Sequence, residues 1–187
     1  FIPQFKNAQV LENFNETDTS FSTVPAKSEI TIRQLLNHTS GIGYAQIGSP
    51  HQTAIYYKYD INGGIGTPNS TLKEKITALA GLPLFQQPGK NFMYGLNTDV
   101  LGYLVELISG MPLDKYLQRK IFEPLGMKDT YFYLPKEKQK RLVPLYMQDK
   151  NKQLGIQDSI ISLNGVSERD FPLKENGTYF SGGAGLS

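Results

Sequence analysis

Ile30-Thr31-Ile32-Arg33-Gln34-Leu35-Leu36-Asn37-His38-Thr39-Ser40-Gly41-Ile42 is the stretch on which the fold turns. Thr31 and Gln34 form a capping box, in which a hydroxyl and an amide satisfy the orphan N–H groups of a helix start reciprocally. Ile32, Leu35 and Leu36 then share one face of a short helix, and Gly41 offers the left-handed stop. His38-Thr39-Ser40-Gly41 makes the exit turn. His38 and Ser40 are two residues apart on that turn, poorly placed for a facing nucleophile–base pair, and no G-x-S-x-G surrounds Ser40. His38 therefore reads as a helix-end residue bonding nearby backbone.

Outward from this stretch the chain is mainly α in its middle. Residues 1–29 are polar with scattered aromatics (Phe1, Phe5, Phe14, Phe21) and read as extended or irregular. Residues 42–68, rich in Gly and Pro and carrying Tyr56-Tyr57-Lys58-Tyr59, read as a long loop. A helix is expected over Thr71–Ala80, with a Thr71–Glu74 capping box and Leu72, Ile76 and Leu79 inward. The strongest is Thr98–Ser109, where Leu101, Leu104, Val105 and Ile108 follow i, i+3, i+4, i+7 and Gly110 stops the helix. Pro112 suits the first turn of a further helix with Leu113, Tyr116, Leu117 and Ile121 inward, broken by Pro124-Leu125-Gly126-Met127. Residues 128–180 read as strand- and loop-rich, with Thr130-Tyr131-Phe132-Tyr133 β-prone and Ser159-Ile160-Ile161 weaker.

Composition removes whole classes of function. The chain has 187 residues, enough to bury about 70% of the surface its unfolded form exposes. It contains no cysteine, which excludes disulfides, thiolate metal sites and a cysteine nucleophile but leaves the compartment open. Two histidines, His38 and His51, exclude a three-histidine metal centre, and no cofactor or metal is expected. Net charge is +2, and six of the 19 basic side chains fall within residues 136–152. Glu137 and Asp149 interrupt that run and no aromatics are interleaved regularly, so it reads as a solvated loop and not a nucleic-acid surface. No apolar run approaches the ~20 residues that span a bilayer. Gly63-Gly64-Ile65-Gly66 and Gly182-Gly183-Ala184-Gly185 lack the G-K-[ST] of a phosphate loop and read as tight turns. The chain opens on Phe1-Ile2-Pro3 without Met and stops on a glycine-rich run, as an internal segment would.

Ser70-Thr71-Leu72-Lys73 spells S-x-x-K, which on a helix sets an amine beside a hydroxyl nucleophile. Such a lysine must be partly desolvated, and here Glu74 and Lys75 follow it, so the match reads as a helix start. Tyr94, in Phe92-Met93-Tyr94-Gly95, reads by itself as a packed ring. A phenol serves as a base only when cations lower its pKa, and nothing local supplies them.

Four segments together change this. Residues 30–42 resemble the T-x-R-x-L-L-x-H-T-S-G segment of the serine β-lactamase-like family, which groups class C β-lactamases, penicillin-binding DD-peptidases and family VIII carboxylesterases. Pro88-Gly89-Lys90-Asn91-Phe92-Met93-Tyr94 resembles its P-G-x-x-F-x-Y run. Asp99–Gly110 followed by Ile121-Phe122-Glu123-Pro124-Leu125-Gly126-Met127-Lys128-Asp129-Thr130 resembles its helix and I-F-x-P-L-G-M-x-D-T signature. Gly182–Ser187 is similar to its G-G-x-G-L-x-S segment. The matches fall in family order.

The resemblance implies a two-part α+β fold of serine β-lactamase/DD-peptidase type, an α/β sandwich and a helical lobe with the active site between them. This chain holds mainly the helical lobe: residues 1–29 form an irregular lead-in, 30–130 the lobe and 131–187 a loop- and β-rich return. It also implies acyl-enzyme chemistry, with Tyr94 as the catalytic tyrosine and Tyr44 and Tyr57 as candidate cleft walls. In the family the S-x-x-K precedes the H-T-S-G segment, whereas Ser70 follows it. The nucleophile and the late K-T-G-type motif are therefore expected outside these 187 residues, and the chain alone is expected to be inactive. The family's Y-x-N reads Tyr94-Gly95-Leu96 here, and leucine cannot bond a substrate amide; Asn97, one residue on, faces about 100° away if helical. Ester hydrolysis is thus favoured over β-lactam or peptide hydrolysis. The alternatives are a non-catalytic homologue binding cell wall or a partner protein, and a rearranged site built on Ser70 and Lys73. Family analogy places the protein in the periplasm or outside the cell, and an uncovered core face favours self-association.

Overall fold

Helix α4 (Asn97–Ser109) organises the chain, packing against α1 (Ile32–Leu36), α3 (Leu72–Ala80) and α5 (Leu113–Leu117). The structure, a computed structural model, describes residues 1–45, 47–61, 69–144, 146–148, 151–156 and 171–187. Mixed helix and strand make it an α+β fold. Both capping boxes form as the sequence predicts: Thr31 with Gln34 starts α1 and Thr71 with Glu74 starts α3. Gly110 closes α4 in the left-handed conformation (φ 68°). Leu72, Ile76 and Leu79 of α3 and Val100 of α4 are buried, joined by Ile42, Ile55, Tyr56 and Ile61 in one core. Each fully buried side chain of this kind contributes about 1.5–3 kcal/mol relative to exposure.

Two local readings need correction, and a third takes a definite form. Of the extended or irregular readings of residues 1–29, the extended one holds where β1 (Gln9–Phe14) and β2 (Phe21–Pro25) form an antiparallel hairpin with Val10 opposite Val24. Val10 also bridges Leu84 in parallel, through Leu11 N–H to the Leu84 carbonyl and Leu84 N–H to the Gln9 carbonyl. The segment expected to be a loop contains α2 (Pro50–Lys58), started by Ser49, whose hydroxyl accepts from Gln52 N–H, and by Pro50 at the first turn. Thr130–Tyr133 forms no strand; Tyr131 exchanges two backbone bonds with Ser187 and nothing extends the ladder. The strands of this region are β3 (Tyr146–Gln148) and β4 (Leu154–Ile156), a second antiparallel pair. Gly63–Gly66 and Ser159–Ile161 lie outside the described residues.

Several side chains expected inside are exposed: Ile108 at 62%, Leu36 at 66%, and also Ile32 and Ile121. After α5 the chain continues through a π turn, Gln118–Phe122, in which Glu123 N–H reaches back to the Gln118 carbonyl. The wider turn shifts the inward face to Phe122 and turns Ile121 out.

Candidate active site

Two segments run side by side at the N-terminal end of α4: residues 38–43, leaving α1, and residues 93–97, entering α4. Helix α1 ends in a Schellman motif, with Thr39 N–H donating to the Gln34 carbonyl and His38 N–H to that of Leu35. The left-handed position of that motif is His38 (φ 55°), not Gly41 as the sequence suggests. A non-glycine residue so placed carries about 1–2 kcal/mol of strain. Met93 N–H then donates to the His38 carbonyl (2.7 Å) and Leu96 N–H to that of Gly43 (3.1 Å), pinning the backbone on both sides of Tyr94. Gly95 makes this approach possible, since a Cβ there would lie 2.1 Å from the Ile42 carbonyl oxygen.

Tyr94 is about half exposed (49%) beside these pins. His38 stacks on it with ring centroids 5.1 Å apart, and Tyr44 stacks on it at 5.9 Å. Phe92 leans on His38 at 5.8 Å. Beneath the rings Asn97 is fully buried, with its Nδ2 3.0 Å from His38 Nδ1 and its Oδ1 accepting from the Ser40 hydroxyl at 2.5 Å. Ser40, equally buried, also accepts from Ile42 N–H. Burial pulls the His38 imidazole below its ordinary value, against its protonated form.

The C-terminal glycines close against the same end of α4. A Cβ on Gly182 would sit 2.1 Å from the Thr98 carbonyl oxygen, and the Ser181 hydroxyl accepts from Gly183 and Ala184 N–H. Ser181 and Tyr179 both donate to Asp99 Oδ1, at 2.7 and 3.1 Å. The glycines thus serve a close backbone approach. Burial raises the Asp99 carboxyl despite these bonds, and it raises the Tyr179 hydroxyl well above its ordinary value, with the Asp99 charge adding to the effect.

Of the residues singled out in the sequence, Tyr94 and Tyr44 come together. Tyr57, half-buried on α2, packs against the core and makes no ring contact with Tyr94 among the described residues. Ser70 lies before the helix, because Thr71 is the N-cap of α3, so the one-turn geometry of an S-x-x-K pair is not formed. Its carbonyl accepts from the Thr178 hydroxyl, and Lys73 is exposed. His38 bonds more than nearby backbone, since its side chain reaches Asn97 across 59 positions. No sequence periodicity signals that contact. No cluster of three metal-ligating side chains is found among the described residues.

Comparison with known proteins identifies the family. The family model "Beta-lactamase" matches residues 14–166. Esterase EstB of Burkholderia gladioli is 34% identical over 162 residues, covering 84% of this chain and 41% of that protein. Simvastatin synthase (LovD) from Aspergillus terreus superposes with a TM-score of 0.73 at 27% identity, covering 99% of this chain and 42% of that one. EstCE1, a hydrolase with promiscuous acyltransferase activity, superposes with a TM-score of 0.72 at 26% identity, covering 98% of this chain and 45% of that one. The chain spans less than half the length of these relatives, and within that span it belongs to the beta-lactamase family.

Proposed function

We propose that the chain is the tyrosine-bearing part of a serine acyl-transfer enzyme acting on esters, with Tyr94 as its proton-transfer residue. The supporting observation is the half-exposed phenol whose backbone is pinned on both sides and whose ring is flanked by His38 and Tyr44. In this reading a serine of an S-x-x-K segment outside the 187 residues attacks the ester carbonyl. Tyr94 Oη takes the serine proton and delivers it to the departing alkoxide, and water then attacks the acyl-enzyme with the same oxygen as base. The lysine of that segment supplies the cation beside the phenol. Residues 30–130 border the cleft as the helical lobe, with 1–29 leading in and 131–187 returning. Tyr44 walls the cleft, and the chain alone is inactive.

Ester over β-lactam or peptide substrates is favoured because position 96 is Leu and both Leu96 and Asn97 are buried, which leaves neither to bond a substrate amide in the cleft. The esterase activity named for EstB points the same way. Exposed Leu36 and Ile108 support self-association, and family analogy supports a periplasmic or extracellular site. A fluorophosphonate probe with mass-spectrometric mapping tests the reading. It predicts no label on Ser40 or Ser70 in this chain, and label on the S-x-x-K serine once that segment is joined to it. Label on Ser70 overturns it.

A further inference from the structure

His38 occupies the left-handed C′ position of a Schellman motif, where glycine or asparagine fits without strain. A residue needed only to end α1 would be one of those two. The imidazole is also wired: the 2.5 Å contact between Ser40 Oγ and Asn97 suits O–H···O better than N–H···O, which makes the Asn97 atom facing Ser40 its oxygen. The opposite orientation would leave the hydroxyl proton of fully buried Ser40 without an acceptor. Asn97 Nδ2 therefore points at His38 Nδ1, 3.0 Å away, and must donate to it. A proton on Nδ1 would set two donors against each other, so the ring proton sits on Nε2.

We infer that His38 is a positioning residue for Tyr94: the Ser40–Asn97 chain fixes its ring as the Nε2–H tautomer, and that ring, stacked at 5.1 Å, holds the phenol in one orientation. The inference rests on the reading of Tyr94 as the proton-transfer residue. Phe92, Tyr94 and Asn97 pack on the imidazole, and none of the ion pairs among the described residues involves His38. The arrangement keeps the platform under Tyr94 neutral and leaves the cation of the reaction to the lysine of the S-x-x-K segment. It also accounts for the strain at position 38, because neither glycine nor asparagine offers a flat ring to a phenol.

Two measurements test it. Long-range 1H–15N spectra of the 15N-labelled chain near neutral pH should show Nδ1 of His38 unprotonated and Nε2 protonated, and Asn97→Asp should move the proton to Nδ1. In the enzyme carrying the S-x-x-K serine, His38→Asn suits the left-handed backbone and should lower kcat about 10- to 100-fold with KM little changed. Tyr94→Phe in the same background should lower kcat by about 100-fold or more. A proton on Nδ1 in the wild-type chain overturns the inference whether or not any variant folds. So does a wild-type kcat for His38→Asn when Tyr94→Phe is slowed. If Tyr94→Phe itself turns over at the wild-type rate, the proton-transfer reading of Tyr94 fails, and the role of His38 fails with it.

Discussion

Substituting Gly95 by Ala adds one methyl group at the point where the two site segments meet. Gly95 is not left-handed, so alanine suits its backbone and the whole cost arises from contact. The new Cβ would lie 2.1 Å from the Ile42 carbonyl oxygen and 2.6 Å from that of Gly43. Both are backbone atoms, so no rotamer change relieves the overlap, which is roughly 1 Å short of ordinary contact. Relief requires residues 42–43 to retreat, and that breaks the 3.1 Å bond from Leu96 N–H to the Gly43 carbonyl. Overpacking costs about 1–3 kcal/mol and the lost bond about 0.5–1.5, so Gly95→Ala should destabilise by about 2–4 kcal/mol. Gly110→Ala is the matched control: φ is 68° and a Cβ there meets nothing within 4 Å, which leaves only left-handed strain of about 1–2 kcal/mol. Urea unfolding followed by far-UV circular dichroism measures both. A Gly95→Ala variant no less stable than Gly110→Ala would refute the claim that close backbone approach shapes the site.

Asp99→Ala strands the buried hydroxyls of Tyr179 and Ser181 and should cost about 2–4 kcal/mol, whereas Asp99→Asn keeps an acceptor and should cost under about 1, read by the same unfolding assay. Because burial raises the Asp99 carboxyl above its ordinary 3.8, its native form holds a proton more tightly. Its contribution to stability therefore improves as pH falls from above that raised value towards 3.8, and Asp99→Asn should remove the trend. Asp129 has the opposite sign, since hydrogen bonds from Lys138 and then Arg141 hold it below 3.8. Its stabilisation is complete above 3.8 and lost as pH falls through the folded value, so Asp129→Asn should flatten the acid end of the stability curve. Thr71→Ala removes the hydroxyl of the α3 capping box and should cost about 1 kcal/mol, while Ser70→Ala beside it should stay within about 0.5 in the same denaturation series.

Local signals in the sequence translated directly where neighbours in the chain supply both partners. The capping boxes of Thr31 and Thr71 and the Gly110 stop are of this kind, and all three form. Helix α2 has a Ser49 cap and Pro50 in its first turn, but glycines flank it and its Tyr-Tyr-Lys-Tyr run has no clear apolar periodicity, which hides it in the sequence. The hairpin was hidden for a similar reason. In its turn Asn15 Oδ1 accepts from Thr17 N–H and Asp18 Oδ1 from Ser20 N–H, and Leu84, far along the chain, bridges its inner edge. Thr130–Tyr133 shows the converse: strand-forming residues stay irregular where only Ser187 comes alongside. Ile108 follows a buried periodicity yet lies exposed, since no described element covers that part of α4. At the site, the P-G-x-x-F-x-Y run marks Tyr94, whereas the Ser40–Asn97–His38 chain depends on side chains 57 and 59 positions apart. No periodicity encodes such a contact; the left-handed His38 shows itself only when the backbone is known.

The central claim is that Tyr94 moves the proton in serine acylation. The direct measurement is the single-turnover acylation rate with a p-nitrophenyl ester, for the enzyme in which this chain is joined to its S-x-x-K serine, comparing wild type, Tyr94→Phe and Ser70→Ala. The account predicts that Tyr94→Phe keeps the fold and slows acylation by about 100-fold or more, within the usual range for removing a general acid–base group. Ser70→Ala should acylate at the wild-type rate. Acylation of Tyr94→Phe at the wild-type rate, or its loss in Ser70→Ala, would contradict the account.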